Sequence, residues 1–286
     1  MIKEEFMDRI KIFEYYDENK KYNMNVYAYI PEGDIQEMKV VFVMSGCLRD
    51  ALNYLKNWIN VANKNQYIII TPEFDKEHYS ISEHEYGNLI DIEYDYSSQD
   101  IYTPYMKYSK IINHNKTWIY KIIDDIYIDF ITKYCIENNG YILFGHSSGS
   151  QFAHRFLMFG DSKYCKKYLC ANAGQYTFFD ETKDYPYGIK NLKKYKKIID
   201  KSLEKEVYIL VGDKDLKTDY LNCLPMDMEE GENRLQRAQN FFKSAEEYAL
   251  KIKIDFKWKL VKMEGIKHNN IEVIPFAVNI INSNKL

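Results

Sequence analysis

Short apolar runs alternate with longer amphipathic stretches along this chain, and their two periods separate strands from helices. Residues 10–16 and 24–30 (MNVYAYI) predict two strands joined by the polar turn DENKK. KVVFVM at 39–44 is a continuous apolar run, as expected of a parallel strand covered on both faces. From about Asp50 to Asn63, Leu52, Leu55, Trp58, Ile59 and Ala62 recur at helical spacing and predict an amphipathic helix. YIIITPEF at 67–74 predicts the next buried strand, stopped by Pro72. Residues 75–113 are polar and irregular, too long for a plain connection, so they are expected to carry function or structure of their own. Residues 116–137 put Ile119, Ile122, Ile123, Ile126, Phe130 and Ile131 in a helical pattern, with Asn138-Asn139-Gly140 as the expected stop.

The second half repeats the alternation. YILFG (141–145), YLCANAG (168–174), VYILVGD (207–213) and FKWKLVKMEG (256–265) predict strands. SGSQFAHRFLMF (148–159), residues 231–251 and the closing IEVIPFAVNIIN predict helices. A Tyr- and Lys-rich excursion, 175–203, and a polar stretch, 214–230, are expected to form a small lid. Strands alternating with crossover helices imply a mainly parallel sheet with helices on both faces. One domain, 1–286, accounts for the chain.

Composition narrows the function classes. With 46% apolar and 28% charged residues the chain can bury a core, which excludes general disorder. Lys plus Arg (39) nearly balances Asp plus Glu (42), leaving no footprint for nucleic acid or anionic lipid. No run approaches the roughly 20 apolar residues of a membrane span, and the N-terminal MIKEEFMDRIKIFEYY has no uninterrupted apolar stretch. The expected location is cytoplasmic. Cys47, Cys135, Cys165, Cys170 and Cys223 are odd in number and scattered, so they read as buried free thiols rather than a disulfide framework or zinc set.

The chemistry centres on Gly145-His146-Ser147-Ser148-Gly149, a G-x-S-x-G with a strand before it and a helix after it. So sharp a reversal forces Ser147 into strained backbone geometry and lifts its hydroxyl above the sheet. Beneath it, the free N–H groups of the helix start favour a developing negative charge. Ser147 is the expected nucleophile and His268, just after the final strand, its base. The acid should follow VYILV, where Asp213, Asp215 and Asp219 compete. Asp215 leads: Asp213 opens the turn and suits local backbone N–H groups, whereas Asp215 has cleared the strand end. The N–H groups of Ser148 and Cys47 are the expected oxyanion donors, Cys47 standing in the loop Ser45–Asp50 after KVVFVM. Cys47 lacks an elbow and a paired base, which disfavours it as a nucleophile.

On these residues the chain resembles the α/β-hydrolase superfamily, and within it the poly(3-hydroxybutyrate) depolymerase-like esterases. The resemblance runs from about residue 39 to 270. It is carried by SGCLRDALNYLKNW, ITPEFDKEHY, EYGNL, the GHSSG elbow, ANAGQYTFFD with YPYG, the GDKD turn and EGENRLQRAQNFF. Members usually open the first segment with His-Gly, where this chain has Ser45-Gly46. The resemblance implies an α/β-hydrolase fold and an acid at the second Asp of GDKD.

The expected activity is hydrolysis of a small-molecule or oligomeric carboxylic ester through an acyl-enzyme, with no cofactor and no metal. A peptidase or amidase with the same triad, and a non-catalytic binding protein on the same fold, are the rivals. Tyr176, Phe178 and Leu224, with Phe179 and Met226, are expected to border the acyl site. Asp91, Glu93 and Asp95 near His78 and His84 match no ligand spacing and read as a solvated acidic loop. Arg234, Arg237 and Lys243 recur at helical spacing; they form either a solvated face or, through the two arginines, a clamp on the carboxylates of the acid-bearing loop.

Overall fold

A computed structural model describes residues 4–95, 105–137, 140–219 and 221–283. Its strands are β1 (Ile10–Asp17), β2 (Tyr22–Tyr29), β3 (Lys39–Met44), β4 (Tyr67–Pro72), β5 (Ile92–Asp95), β6 (Tyr105–Tyr108), β7 (Tyr141–His146), β8 (Cys165–Ala171), β9 (Glu206–Gly212) and β10 (Lys259–Met263). Its helices are α1 (Glu4–Met7), α2 (Ala51–Asn65), α3 (Ile81–Tyr86), α4 (Lys121–Lys133), α5 (Ser148–Phe159), α6 (Lys196–Ser202), α7 (Pro225–Glu230), α8 (Arg234–Ile252) and α9 (Asn270–Asn282).

Eight strands form one sheet in the order β1-β2-β4-β3-β7-β8-β9-β10. β1, β2 and β4 pair antiparallel, and from β4 onward every pairing is parallel. Alternate residues of β3 serve opposite faces. Val40, Phe42 and Met44 join the core beneath α4, α5 and α8. Val41 and Val43 join the core beneath α2 and α9. That division explains the unbroken apolar run, since neither face of the strand is wet. At the start of α2, the Asp50 side chain accepts from the Asn53 N–H and caps the helix.

Some boundaries differ from expectation. The helix expected over 116–137 is regular only from Lys121 to Lys133. Cys135 turns left-handed at φ 51° and the Ile136 N–H reaches back to the Ile131 carbonyl, closing the helix before Gly140. Asn138 and Asn139 lie outside the described residues. The irregular stretch 75–113 contains α3 and the separate β5–β6 pair. The excursion 175–203 buries Tyr176, Phe179, Tyr185, Leu192, Ile199 and Leu203 in the main core. It covers the outer side of α5, every residue of which is buried. Cys165 and Cys170 are buried as expected, whereas Cys47, Cys135 and Cys223 are exposed. Among the described residues no helix is long and apolar enough to cross a membrane.

Candidate active site

β7 ends at His146 and α5 begins at Ser148, so Ser147 alone makes the turn. Its backbone has φ 56° and ψ −121°, a region costly for a side-chain-bearing residue. The neighbouring strand and the following helix hold it there. The Ser147 N–H donates to the Ala171 carbonyl of β8 at 3.0 Å, and the Ser147 carbonyl accepts from the Ser150 and Gln151 N–H groups. A Cβ on Gly145 would come within 2.1 Å of the Gly149 carbonyl oxygen, and one on Gly149 within 2.2 Å of the Met44 carbonyl oxygen. Backbone packs on backbone here, so both positions require glycine.

The turns after β9 and β10 bring Asp215 and His268 to this serine. His268 Nε2 lies 3.0 Å from Ser147 Oγ, and His268 Nδ1 lies 2.7 Å from Asp215 Oδ2. The Asp215 carboxylate is fully buried while the His268 side chain remains 30% exposed. The line of contacts thus runs from a dry carboxylate to an imidazole that solvent can reach. Asp213 and Asp219 do not join it. Asp213 Oδ1 accepts from the Gly265 N–H at 2.7 Å, a backbone partner as expected but across on the β10 side rather than local. The Asp219 side chain is mostly exposed. His154, also downstream of Ser147, is buried in α5, where its Nδ1 meets the Ser150 carbonyl and its Nε2 accepts from the Thr177 N–H.

The expected oxyanion donors flank Ser147. The Ser148 N–H belongs to the first turn of α5, where no intrahelical acceptor exists and the helix dipole is positive. On the other side, a Cβ on Gly46 would lie 3.6 Å from Ser147 Cβ and 2.8 Å from the Tyr54 hydroxyl. The Tyr54 hydroxyl is 3.1 Å from His146 Nδ1, so one side chain links the Ser45-Gly46-Cys47 loop to the elbow. Solvent reaches the Cys47 thiol, yet the packing round it and the Glu85 carboxylate push its pKa up, which works against a thiolate. The His146 ring lies 4.8 Å from that of His268. Burial, followed by repulsion from His268 and Arg234, drives the His146 pKa well down and keeps it neutral.

Three residues support the site, and two of them, Glu85 and Arg155, carried no local signal of their role. Glu85, at the end of α3, accepts from Ser148 Oγ at 2.6 Å and from Gln151 Nε2 at 3.0 Å. Burial raises its pKa, against the pull of Ser148, Arg155, Arg49 and Gln151. Arg155, fully buried, donates to the Glu85 carbonyl, to Gln175 Oε1 and to Thr177 Oγ1, tying α3 and the excursion to α5. Arg234 meets Asp215 Oδ1 at 3.5 Å, so the clamp reading holds for that residue. Arg237 binds backbone carbonyls of Gly231, Gly174 and Asn222 instead of carboxylates. Lys243 is a solvated residue paired with Glu247.

The expected acyl-site residues divide. Tyr176 has no exposed surface and stacks on Phe241 with ring centroids 4.5 Å apart. It is a core residue, which corrects its assignment to substrate binding: an aromatic ring in a polar stretch found an apolar partner on α8. Phe178 is half-buried and meets Phe241 edge-on. Leu224 is half-buried and precedes α7. His78 stacks on Tyr22 and bonds Asp75, while His84 is buried beside Phe74. Among the described residues no three His, Cys, Asp or Glu side chains gather as a metal site.

No protein-family model matches the chain, and no curated protein sequence does. Solved structures do match it. The chain is similar to poly(aspartic acid) hydrolase-1 from Sphingomonas sp. KT-1, at 26% identity and a TM-score of 0.83, over 95% of this chain and 98% of that one. It is similar to the poly(3-hydroxybutyrate) depolymerase LpqC from Bordetella parapertussis, at 22% identity and a TM-score of 0.82, over 97% of this chain and 91% of that one. A fluorophosphonate-binding serine hydrolase from Staphylococcus aureus matches at 13% identity and a TM-score of 0.56, over 95% of this chain and 97% of that one. The chain has the α/β-hydrolase fold, and the resemblance carried by its sequence segments agrees with these neighbours.

Proposed function

We propose that the protein is a serine hydrolase of carboxylic esters. The observation that carries this reading is the unbroken line from Ser147 Oγ through His268 to Asp215, with contacts of 3.0 and 2.7 Å. Ser147 Oγ attacks the acyl carbon as His268 Nε2 takes its proton. Asp215 accepts from His268 Nδ1–H, fixing the tautomer and stabilising the imidazolium. The negative charge that forms on the acyl oxygen is received by the Ser148 and Cys47 N–H groups. His268 then returns the proton to the leaving alcohol. Water attacks the acyl-enzyme by the same route, releasing the acid and restoring Ser147.

A second reading is amide hydrolysis with the same groups. It is favoured by the 26% identity to a hydrolase of poly(aspartic acid), a polymer linked by amides. A binding protein on this fold has no need of a base aligned on an elbow serine. Incubation with a fluorophosphonate, followed by mass spectrometry, is expected to label Ser147. Ser147→Ala should stay folded, take no label and lose p-nitrophenyl acetate turnover on the order of 10³-fold or more. A folded Ser147→Ala protein that keeps over about a tenth of the rate overturns the nucleophile. Parallel ester and amide substrates separate the two enzyme readings.

A further inference from the structure

We propose that Arg234 is a positioning residue of this site, acting through Asp215: it holds the second carboxylate oxygen, fixes the acid turn, and shares the charge that Asp215 presents to His268. The inference rests on the hydrolase reading above.

The Arg234 guanidinium is nearly as dry as its partner, with side-chain exposures of 3% for Arg234 and 0% for Asp215. Nη1 meets Asp215 Oδ1 at 3.5 Å and the Lys217 carbonyl at 3.1 Å, and Nη2 meets the Asp219 carbonyl at 3.0 Å. One side chain therefore grips the acid and two carbonyls of its own turn. Nothing in helix energetics asks for it there. Arg234 opens α8, where the dipole is positive and a cation is at the wrong end. Burial and nearby Arg237 also work against its charge, while Asp215 supports it.

The consequence falls on His268. Asp215 holds one oxygen toward His268 and the other toward Arg234. A protonated His268 thus meets a carboxylate already shared with a guanidinium. The other groups facing this cluster are Ser147, His146, Cys47, Tyr176 and Arg237. Burial keeps both His146 and Tyr176 uncharged. Remove the guanidinium and the whole carboxylate charge acts on His268.

The test is the pH profile of kcat/KM. In Arg234→Met the acid limb should move to higher pH by about one unit, with plateau activity down roughly 10- to 100-fold. Arg234→Lys restores a cation and should return the limb to the wild-type position, although it cannot hold both carbonyls. Because the effect passes through Asp215, Arg234→Met should cost under about 3-fold in an Asp215→Asn background. An unmoved limb with equal losses in both backgrounds makes Arg234 scaffold and overturns the proposal. If Arg234→Met does not fold, Arg234→Gln, which also lacks the cation, takes its place: a limb displaced to higher pH supports the proposal, and an unmoved one overturns it. Retained fluorophosphonate labelling of Ser147 shows that the hydrolase reading stands whichever way Arg234 falls.

Discussion

Glu85 offers a test in which two substitutions at one position should move stability in different ways. Its carboxylate takes the Ser148 hydroxyl on one oxygen and the Gln151 amide on the other, and all three side chains are buried. Glu85→Ala leaves two buried donors without an acceptor, at about 1–3 kcal/mol each. It also opens a small cavity and removes a carboxylate from beside Arg155. We expect a loss of about 3–5 kcal/mol, or roughly 10 °C in Tm.

Glu85→Gln is different, because the amide keeps the shape of the protonated acid and carries no charge, although its NH2 group donates two hydrogens and accepts none. The cost of that changed hydrogen bonding is the same at every pH, so the pH dependence of the difference isolates the charge. Burial raises the Glu85 pKa in the folded chain, so the ionised form is worse off folded than unfolded. The sign follows: wild-type stability falls as pH rises from the ordinary carboxylate range through the raised value, and the Gln variant lacks that fall. Each pH unit separating the two values is worth about 1.4 kcal/mol. The stability of Glu85→Gln relative to the wild type should therefore rise between about pH 4 and pH 7. Urea denaturation followed by Trp fluorescence at several pH values measures both variants. If Glu85→Ala stays within about 1 kcal/mol of wild type, the two donors are not aimed at this carboxylate. If the Gln variant differs from wild type by the same amount at every pH, the buried charge argument fails.

Two further outcomes are expected. Asp215→Asn should lower kcat on the order of 10⁴-fold by trapping the wrong His268 tautomer, whereas Asp213→Asn, which keeps an oxygen for the Gly265 N–H, should cost under about 10-fold. A larger kcat loss from Asp213→Asn in folded protein reverses the assignment of the acid. Gly149→Ala drives a Cβ to within 2.2 Å of the Met44 carbonyl oxygen, so either α5 or the end of β3 with Ser45 must shift. It should cost about 1–3 kcal/mol and most of the hydrolase activity, and wild-type Tm with wild-type turnover would contradict the close packing.

The parts of the site legible in the sequence are those written locally. The strand 39–44 and the helix 148–159 match β3 and α5 at both ends, because an all-apolar run and a G-x-S-x-G turn each define their own limits. Asp215 and His268 were readable because parallel strands deliver their following turns to one edge of the sheet. The supporting groups other than Arg234 were not. Glu85 meets partners 63 and 66 residues away, and nothing near Glu85 announces them. Arg155 and His154 look like the wet face of a helix, yet 175–203 and α3 cover them. The same covering turned Tyr176 from a pocket residue into core. At the end of α4 a strong local stop, Asn-Asn-Gly, lost to the earlier left-handed turn at Cys135.

The buried polar groups around Ser147 have a common effect that their energies alone do not explain. Burying charge in the interior gains little net stability, whereas breaking such a contact once made is expensive. Groups of that kind penalise displaced arrangements more than they favour the native one. Ser147 needs such a penalty, since its backbone geometry costs about 1–3 kcal/mol and persists only where the surroundings over-determine it. β8 holds the serine from one side through the Ala171 carbonyl. Glu85 holds the next turn of α5 from another side through Ser148 and Gln151. Arg234 fixes the turn that carries the acid, and Tyr54 fixes the oxyanion loop against His146. Each restraint comes from a different element, so no single loop movement relaxes the elbow. A slack version of this site would lose several buried hydrogen bonds together, which is why its geometry can stay strained in the resting protein.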